Sequence, residues 1–101
     1  MSSVPGHIRN SPERLLIVCV VDGQQYTFVS TVQPPLPPFE AGEIQINYDD
    51  PSQLASTKHF HGTVTNGQLT LIIDDGVTIT AVINPPHDIG HITGAGVWNV
   101  N

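Results

Sequence analysis

The chain has 101 residues, with 3 Lys/Arg against 9 Asp/Glu and a formal charge of −6. Nucleic acids and anionic membranes are held largely through Lys and Arg, so three cations (Arg9, Arg14 and Lys58) argue against both as partners. The length suits one domain, and 11 Val, 10 Ile and 9 Thr against 6 Leu and 4 Ala favour pleated sheet over helix.

The N-terminus lacks a positive region, and Pro5 and Gly6 interrupt it at once, so it does not read as a signal peptide. With a single cysteine, Cys19, set in an apolar run as a small core residue, a cytoplasmic setting is expected. Residues 1–14 read as an N-terminal arm ahead of a single β domain over 15–101. Ser11-Pro12-Glu13 has the form of one helical turn, with Ser as cap and Pro at the first helical position.

The first strand is expected over 15–21. It is apolar throughout, as if covered on both faces. Asp22-Gly23 is a hairpin signal, and a second strand follows over 25–32. Four prolines among residues 34–38 impose an extended path that cannot donate to a ladder. The segment reads as a stiff connector between strands, although the same composition suits a ligand for a proline-binding module.

A third strand over 43–48 alternates Ile44, Ile46 and Tyr48 with Glu43, Gln45 and Asn47. Asp50-Pro51-Ser52-Gln53 has capping-box form and predicts about one helical turn near 52–55. Four further strands are expected over 58–65, 68–73, 77–83 and 91–100. No internal repeat of fixed period is visible, which argues against a solenoid.

Asn66-Gly67 calls for a two-residue type I′ turn. That turn places Thr65 opposite Gln68, Thr63 opposite Thr70, His61 opposite Ile72 and Phe60 opposite Ile73. A three-residue loop at Asp74-Asp75-Gly76 then pairs Ile73 with Val77, Leu71 with Ile79 and Thr70 with Thr80. This register keeps the apolar face apolar and predicts a row Thr63-Thr70-Thr80 on the polar face.

The polar face collects Gln45, Asn47, His59, His61, Thr63, Thr65, Gln68, Thr70, Thr78 and Thr80, with His91, Thr93 and Asn99 in the same alternation. A solvated sheet face usually carries Lys and Glu. Here donors and acceptors come without charge, and three explanations compete. In the first, the face recognises a neutral polar ligand such as a glycan. Amides, hydroxyls and imidazoles both donate and accept, and Trp98, Tyr26 or Tyr48 could add an aromatic platform. Trp98 also shares a face with Ile92 and Val100, as a core residue would. In the second, the face is a subunit interface of a homo-oligomer. In the third, His59 and His61 on one strand join His91 from another as ligands of a divalent transition metal.

The third arrangement resembles the small cupins, which carry His-x-His on one strand and a further His on a later one. Here Lys58-His59-Phe60-His61 and Asn84-Pro85-Pro86-His87-Asp88-Ile89-Gly90-His91 stand in those places, about a third of the chain. The resemblance implies a metal-dependent activity. The chain departs from the pattern in having no Glu after His61.

Other constellations are weaker. Asp49-Asp50 and Asp74-Asp75 sit at turns, where Asp bonds the local backbone. Asp74 falls opposite His59 in the predicted register. No Gly-x-Ser-x-Gly elbow and no phosphate-binding glycine loop is present. The expected fold is all-β, a small antiparallel barrel or two-sheet sandwich of about seven strands. The leading functional expectation is a binding module of lectin-like or small-ligand type. Its candidate residues are His59, His61, Thr63, Thr70, Thr80, Gln45, Asn47 and Trp98. A cupin-like enzyme on His59, His61 and His91 and a self-assembling subunit are the alternatives.

Overall fold

The computed structural model describes residues 2–11, 13–33, 35–74 and 76–100, residue 51 by its backbone alone. Among the described residues there are eight strands: β1 (Ser2–Ser11), β2 (Arg14–Val21), β3 (Gln24–Gln33), β4 (Glu40–Tyr48), β5 (Ser56–Thr65), β6 (Gln68–Ile73), β7 (Val77–Asn84) and β8 (Gly90–Val100). All pairings are antiparallel, and the strands close in the order β1-β2-β3-β8-β5-β6-β7-β4. The fold is therefore a closed barrel and not a two-sheet sandwich.

The strand count exceeds the expected seven because the stretch read as an arm is a strand. Ser2–Ser11 pairs with β2 through Gly6↔Cys19, Ile8↔Ile17 and Asn10↔Leu15, and with β4 through Val4↔Ile46. Closing the barrel gives every strand two neighbours and leaves no free edge. The helical turn expected at Ser11-Pro12-Glu13 depends on Pro12, which lies outside the described residues; Ser11 ends β1.

The short-range turns follow the sequence. Asp22-Gly23 and Asn66-Gly67 have positive φ at both positions (52° and 80°; 51° and 76°), as a type I′ turn requires. Thr65↔Gln68, Thr63↔Thr70 and His61↔Ile72 pair as expected. The loop after β6 pairs Ile73↔Val77, Leu71↔Ile79 and Thr70↔Thr80. Asp75 in that loop lies outside the described residues. The capping box forms a 3-10 turn at Pro51–Gln53. Asp50 Oδ1 accepts from Ser52 N (2.9 Å), and Gln53 Oε1 accepts from Asp50 N (3.0 Å). These Ser52 donors hold the Asp50 carboxyl below its usual range, the backbone N–H first and the side chain second.

Eight strands enclose an interior just wide enough to be filled by side chains. Leu15, Ile17, Phe28, Ile46, Leu71 and Ile79 fill it, each fully buried. Each such side chain stabilises by about 1.5–3 kcal/mol relative to exposure. The two long connectors close opposite ends. One follows β3 and buries Leu36. There Asn10 Nδ2 donates to Pro37 O (3.1 Å) and His87 Nε2–H donates to Pro38 O (3.1 Å). Residues 35–38 of the Pro-rich segment thus lie in a connector across a barrel end. The other connector, between β4 and β5, buries Leu54.

The two halves of the chain follow the same path. Each is a Greek key, a three-strand meander whose fourth strand returns beside the first. Exchanging β1–β4 with β5–β8 leaves the strand order unchanged. The registers correspond too: Gly6↔Cys19, Ile8↔Ile17 and Asn10↔Leu15 answer to Phe60↔Ile73, Gly62↔Leu71 and Val64↔Leu69. Leu15↔Ser30 answers to Leu69↔Ala81.

Candidate functional site

Alternation along a strand sends neighbouring residues to opposite faces. Phe60 and Val64 are buried in the barrel, so His59, His61, Thr63 and Thr65 lie on the outer wall of β5. The same parity places Thr70 of β6, Thr78 and Thr80 of β7, and Gln45 and Asn47 of β4 outside. Register then assembles two rows. One runs His91-Thr63-Thr70-Thr80-Gln45, and its neighbour runs Gln33-Thr93-His61-Ile72-Thr78-Asn47. Directly opposed residues have Cβ atoms about 5 Å apart, close enough for one small ligand to meet several of them. The predicted Thr63-Thr70-Thr80 row is present and extends by one residue at each end.

Trp98 is the exception among the candidate ligand residues. It is 4% exposed and packs against Phe28 inside the barrel, ring centroids 4.8 Å apart and planes tilted by 42°. Tyr26 and Tyr48 are buried as well. The apolar bodies of these rings are worth more inside the barrel than out, so none of the three forms a platform on the polar wall. The Trp98 indole N–H is buried and meets no hydrogen-bond partner among the described residues.

The histidines are spread along the wall. His59 and Asp74 stand at the loop end of β6, Nδ1 to Oδ2 4.0 Å apart, with 80% and 62% of their side chains exposed. Their backbones are linked by Asp74 N donating to His59 O (3.0 Å). An ion pair so exposed contributes about 1 kcal/mol or less. His61 stands opposite Thr93, and His91 opposite Thr63. Among the described residues, no three His, Cys, Asp or Glu side chains are gathered as ligands for a metal ion. His87 is engaged with the Pro-rich connector.

A shallow depression lies beside these histidines, lined by Thr31 and Gln33 of β3, His59 of β5, and Thr93, Gly94 and Ala95 of β8. Its floor is low for a reason inside the barrel. A Cβ on Gly94 would collide with Thr31 O and lie 2.6 Å from the Phe60 ring, so only glycine lets β8 pass over that ring. Ala95 beside it is the smallest outward side chain of the strand. The depression was missed in the sequence because β3 and β8 are joined only by the closed barrel. The Gly94-Ala95-Gly96 run was the one available signal.

Cys19 is buried, and that burial pushes its thiol up to about 11, so it is a core residue and not a nucleophile at neutral pH. No family model, curated protein or solved structure matches this chain.

Proposed function

We propose that the protein is a small binding module that takes a neutral polar ligand, such as a glycan, on the outer wall around His59 and His61. The observation that carries this reading is the chemistry of five adjacent strands, β8-β5-β6-β7-β4. Their outward side chains are Thr, His, Gln and Asn with scattered aliphatic residues. The acids nearby, Glu40, Glu43 and Asp74, lie at a strand start, a bulge and a turn. Hydroxyls, amides and imidazoles match a ligand whose own groups both donate and accept. A neutral ligand gains little from a strong field, which the wall does not supply. The filled interior directs binding to the outside, and the depression over Gly94 and Ala95 offers the concave spot.

Without an aromatic platform, and on an open surface, affinity is expected near a millimolar Kd, about −4 kcal/mol. The test is a titration of the isotopically labelled full chain with a panel of neutral mono- and oligosaccharides, followed by amide shifts. The expected result is saturable movement at Thr31, His59, His61 and Thr93, lost in His59→Ala. Silence across the panel, or movement confined to other walls, would overturn the reading.

A further inference from the structure

The outer wall of β2, β3 and β8 differs from the Thr-rich wall. Its outward residues include Leu16, Val18 and Val20 on β2, Val29 on β3, and Val97 on β8. Register joins them: Leu16 lies opposite Val29, and Val29 opposite Val97. Val20, Val29 and Val97 are 56%, 43% and 42% exposed. Scattered apolar residues on a surface are ordinary, but a contiguous patch marks an interaction site.

Charge is arranged around this patch in a self-complementary way. Arg9 and Arg14, two of the three cations in the chain, lie exposed at one end of β1 and β2. Asp22 lies exposed in the turn at the other end of the β2-β3 hairpin. Val18 is midway along β2 between Arg14 and Asp22. Glu13, on the same turn as Arg14, lines a separate depression with Thr31, Val32 and Gln33. We infer that this wall docks a second copy of the chain, antiparallel, about a two-fold axis beside Val18. The axis lies in the interface and runs across the strands. Arg14 of each copy then meets Asp22 of the other, and Leu16, Val18, Val20 and Val29 are covered. A C2 interface must be self-complementary in this sense. Since the closed barrel has no edge to extend, association has to use a face.

The patch spans roughly 25 Å along β2 and three strands at about 4.8 Å spacing. That is smaller than the roughly 800 Å² per partner of a standard interface, so a weak dimer is expected, formed at about 100 μM or above. This inference does not rest on the ligand reading, although the two surfaces adjoin: Val29 and Val97 lie two residues along β3 and β8 from Thr31 and Ala95 of the depression.

The test is sedimentation equilibrium of the full chain from about 10 μM to about 1 mM, a range set by the expected weak affinity. The expected result is a mass rising from 10.9 kDa toward twice that value. Val18→Lys should hold the chain at the monomer mass, and Val29→Lys, at a more exposed position, should do the same with an unchanged far-ultraviolet spectrum. Arg14→Asp should weaken the dimer at least about fivefold, and adding Asp22→Arg should restore it, as exchange of a charge pair predicts. A monomer at every concentration would overturn the inference. So would a dimer that survives Val18→Lys and Val29→Lys but is lost in Thr70→Lys, or a charge exchange that restores nothing.

Discussion

Leu16, Val29 and Val97 form one row across β2, β3 and β8, while Thr70, Thr80 and Gln45 form the corresponding row across β6, β7 and β4. The strand path, the hairpin register and the inward neighbours correspond, yet one row is apolar and the other polar. Inside the barrel the two halves are constrained alike: Leu15 and Leu69, Ile17 and Leu71, and Val32 and Ile83 are all buried. Packing at interior density leaves little choice there. Outside, the fold accepts either chemistry, and the two proposals assign the apolar row to a second copy of the chain and the polar row to a ligand.

The comparison can be broken first at the interior. Gly62 answers to Ile8 in the first half, but a Cβ on Gly62 would collide with Thr70 O and sit 3.0 Å from Leu71 Cα. Since the clash is with backbone, Gly62→Ala should cost about 3 kcal/mol or more, read as a shift of the urea midpoint. An unchanged midpoint would show that the two halves are less tightly fixed than their registers imply.

The end plugs come next. Leu36→Ala and Leu54→Ala should each cost about 2–5 kcal/mol in the same measurement, because both side chains are buried at barrel ends. A loss below about 1 kcal/mol at either would mean that end collapses readily around the gap.

Cys19 answers to Ile73 and should behave as its core equivalent. At neutral pH its modification by a thiol reagent should follow the rate of unfolding and not the reagent concentration. Burial pushes the thiol up to about 11 in the folded chain, from 9.0 for a thiol open to water. A raised folded value means this contribution is fully present below about 9 and is lost as pH climbs toward 11, where the unfolded chain gains the thiolate first. Rapid modification of the folded chain at pH 7 would contradict its burial.

The smallest effect is expected outside. Leu16→Thr with Val29→Thr makes the first row resemble the second, and stability should move by about 1 kcal/mol or less, as for surface changes generally. A larger loss would mean that this row serves the fold and not an encounter.

Much of this was legible in the sequence where it depended on neighbours in the chain. Asp22-Gly23, Asn66-Gly67 and the loop ending at Gly76 fixed three hairpins, and alternation around Phe60 turned His59 and His61 outward. What was hidden depended on distant partners. Pro5 and Gly6 read as breakers, yet β1 is held by β2 and by β4, whose residues lie some forty positions on. Pro5 stands opposite Gln45 of β4 but beyond the last β1-β2 pair at Gly6↔Cys19, so it has a ladder neighbour on one side only, the edge-like setting in which proline is tolerated. The two-fold path leaves no fixed spacing in the sequence because the β6-β7 hairpin is shorter than β2-β3. An echo was available in Asp22-Gly23 followed by Gln33-Pro34-Pro35, and Asp75-Gly76 followed by Asn84-Pro85-Pro86. Trp98 turned inward because it shares its face with Ile92, and apolar burial outweighs a place on the polar wall.

The proposed division of labour between the two walls is tested most directly by amide shifts of the labelled full chain over a dilution series, with no ligand added. The expected result is concentration-dependent movement clustered at Leu16, Val18, Val20, Val29 and Val97, with Thr63, Thr70 and Thr80 still. Movement clustered on the Thr row instead, or none anywhere up to about 1 mM, where a weak dimer should form, would contradict it.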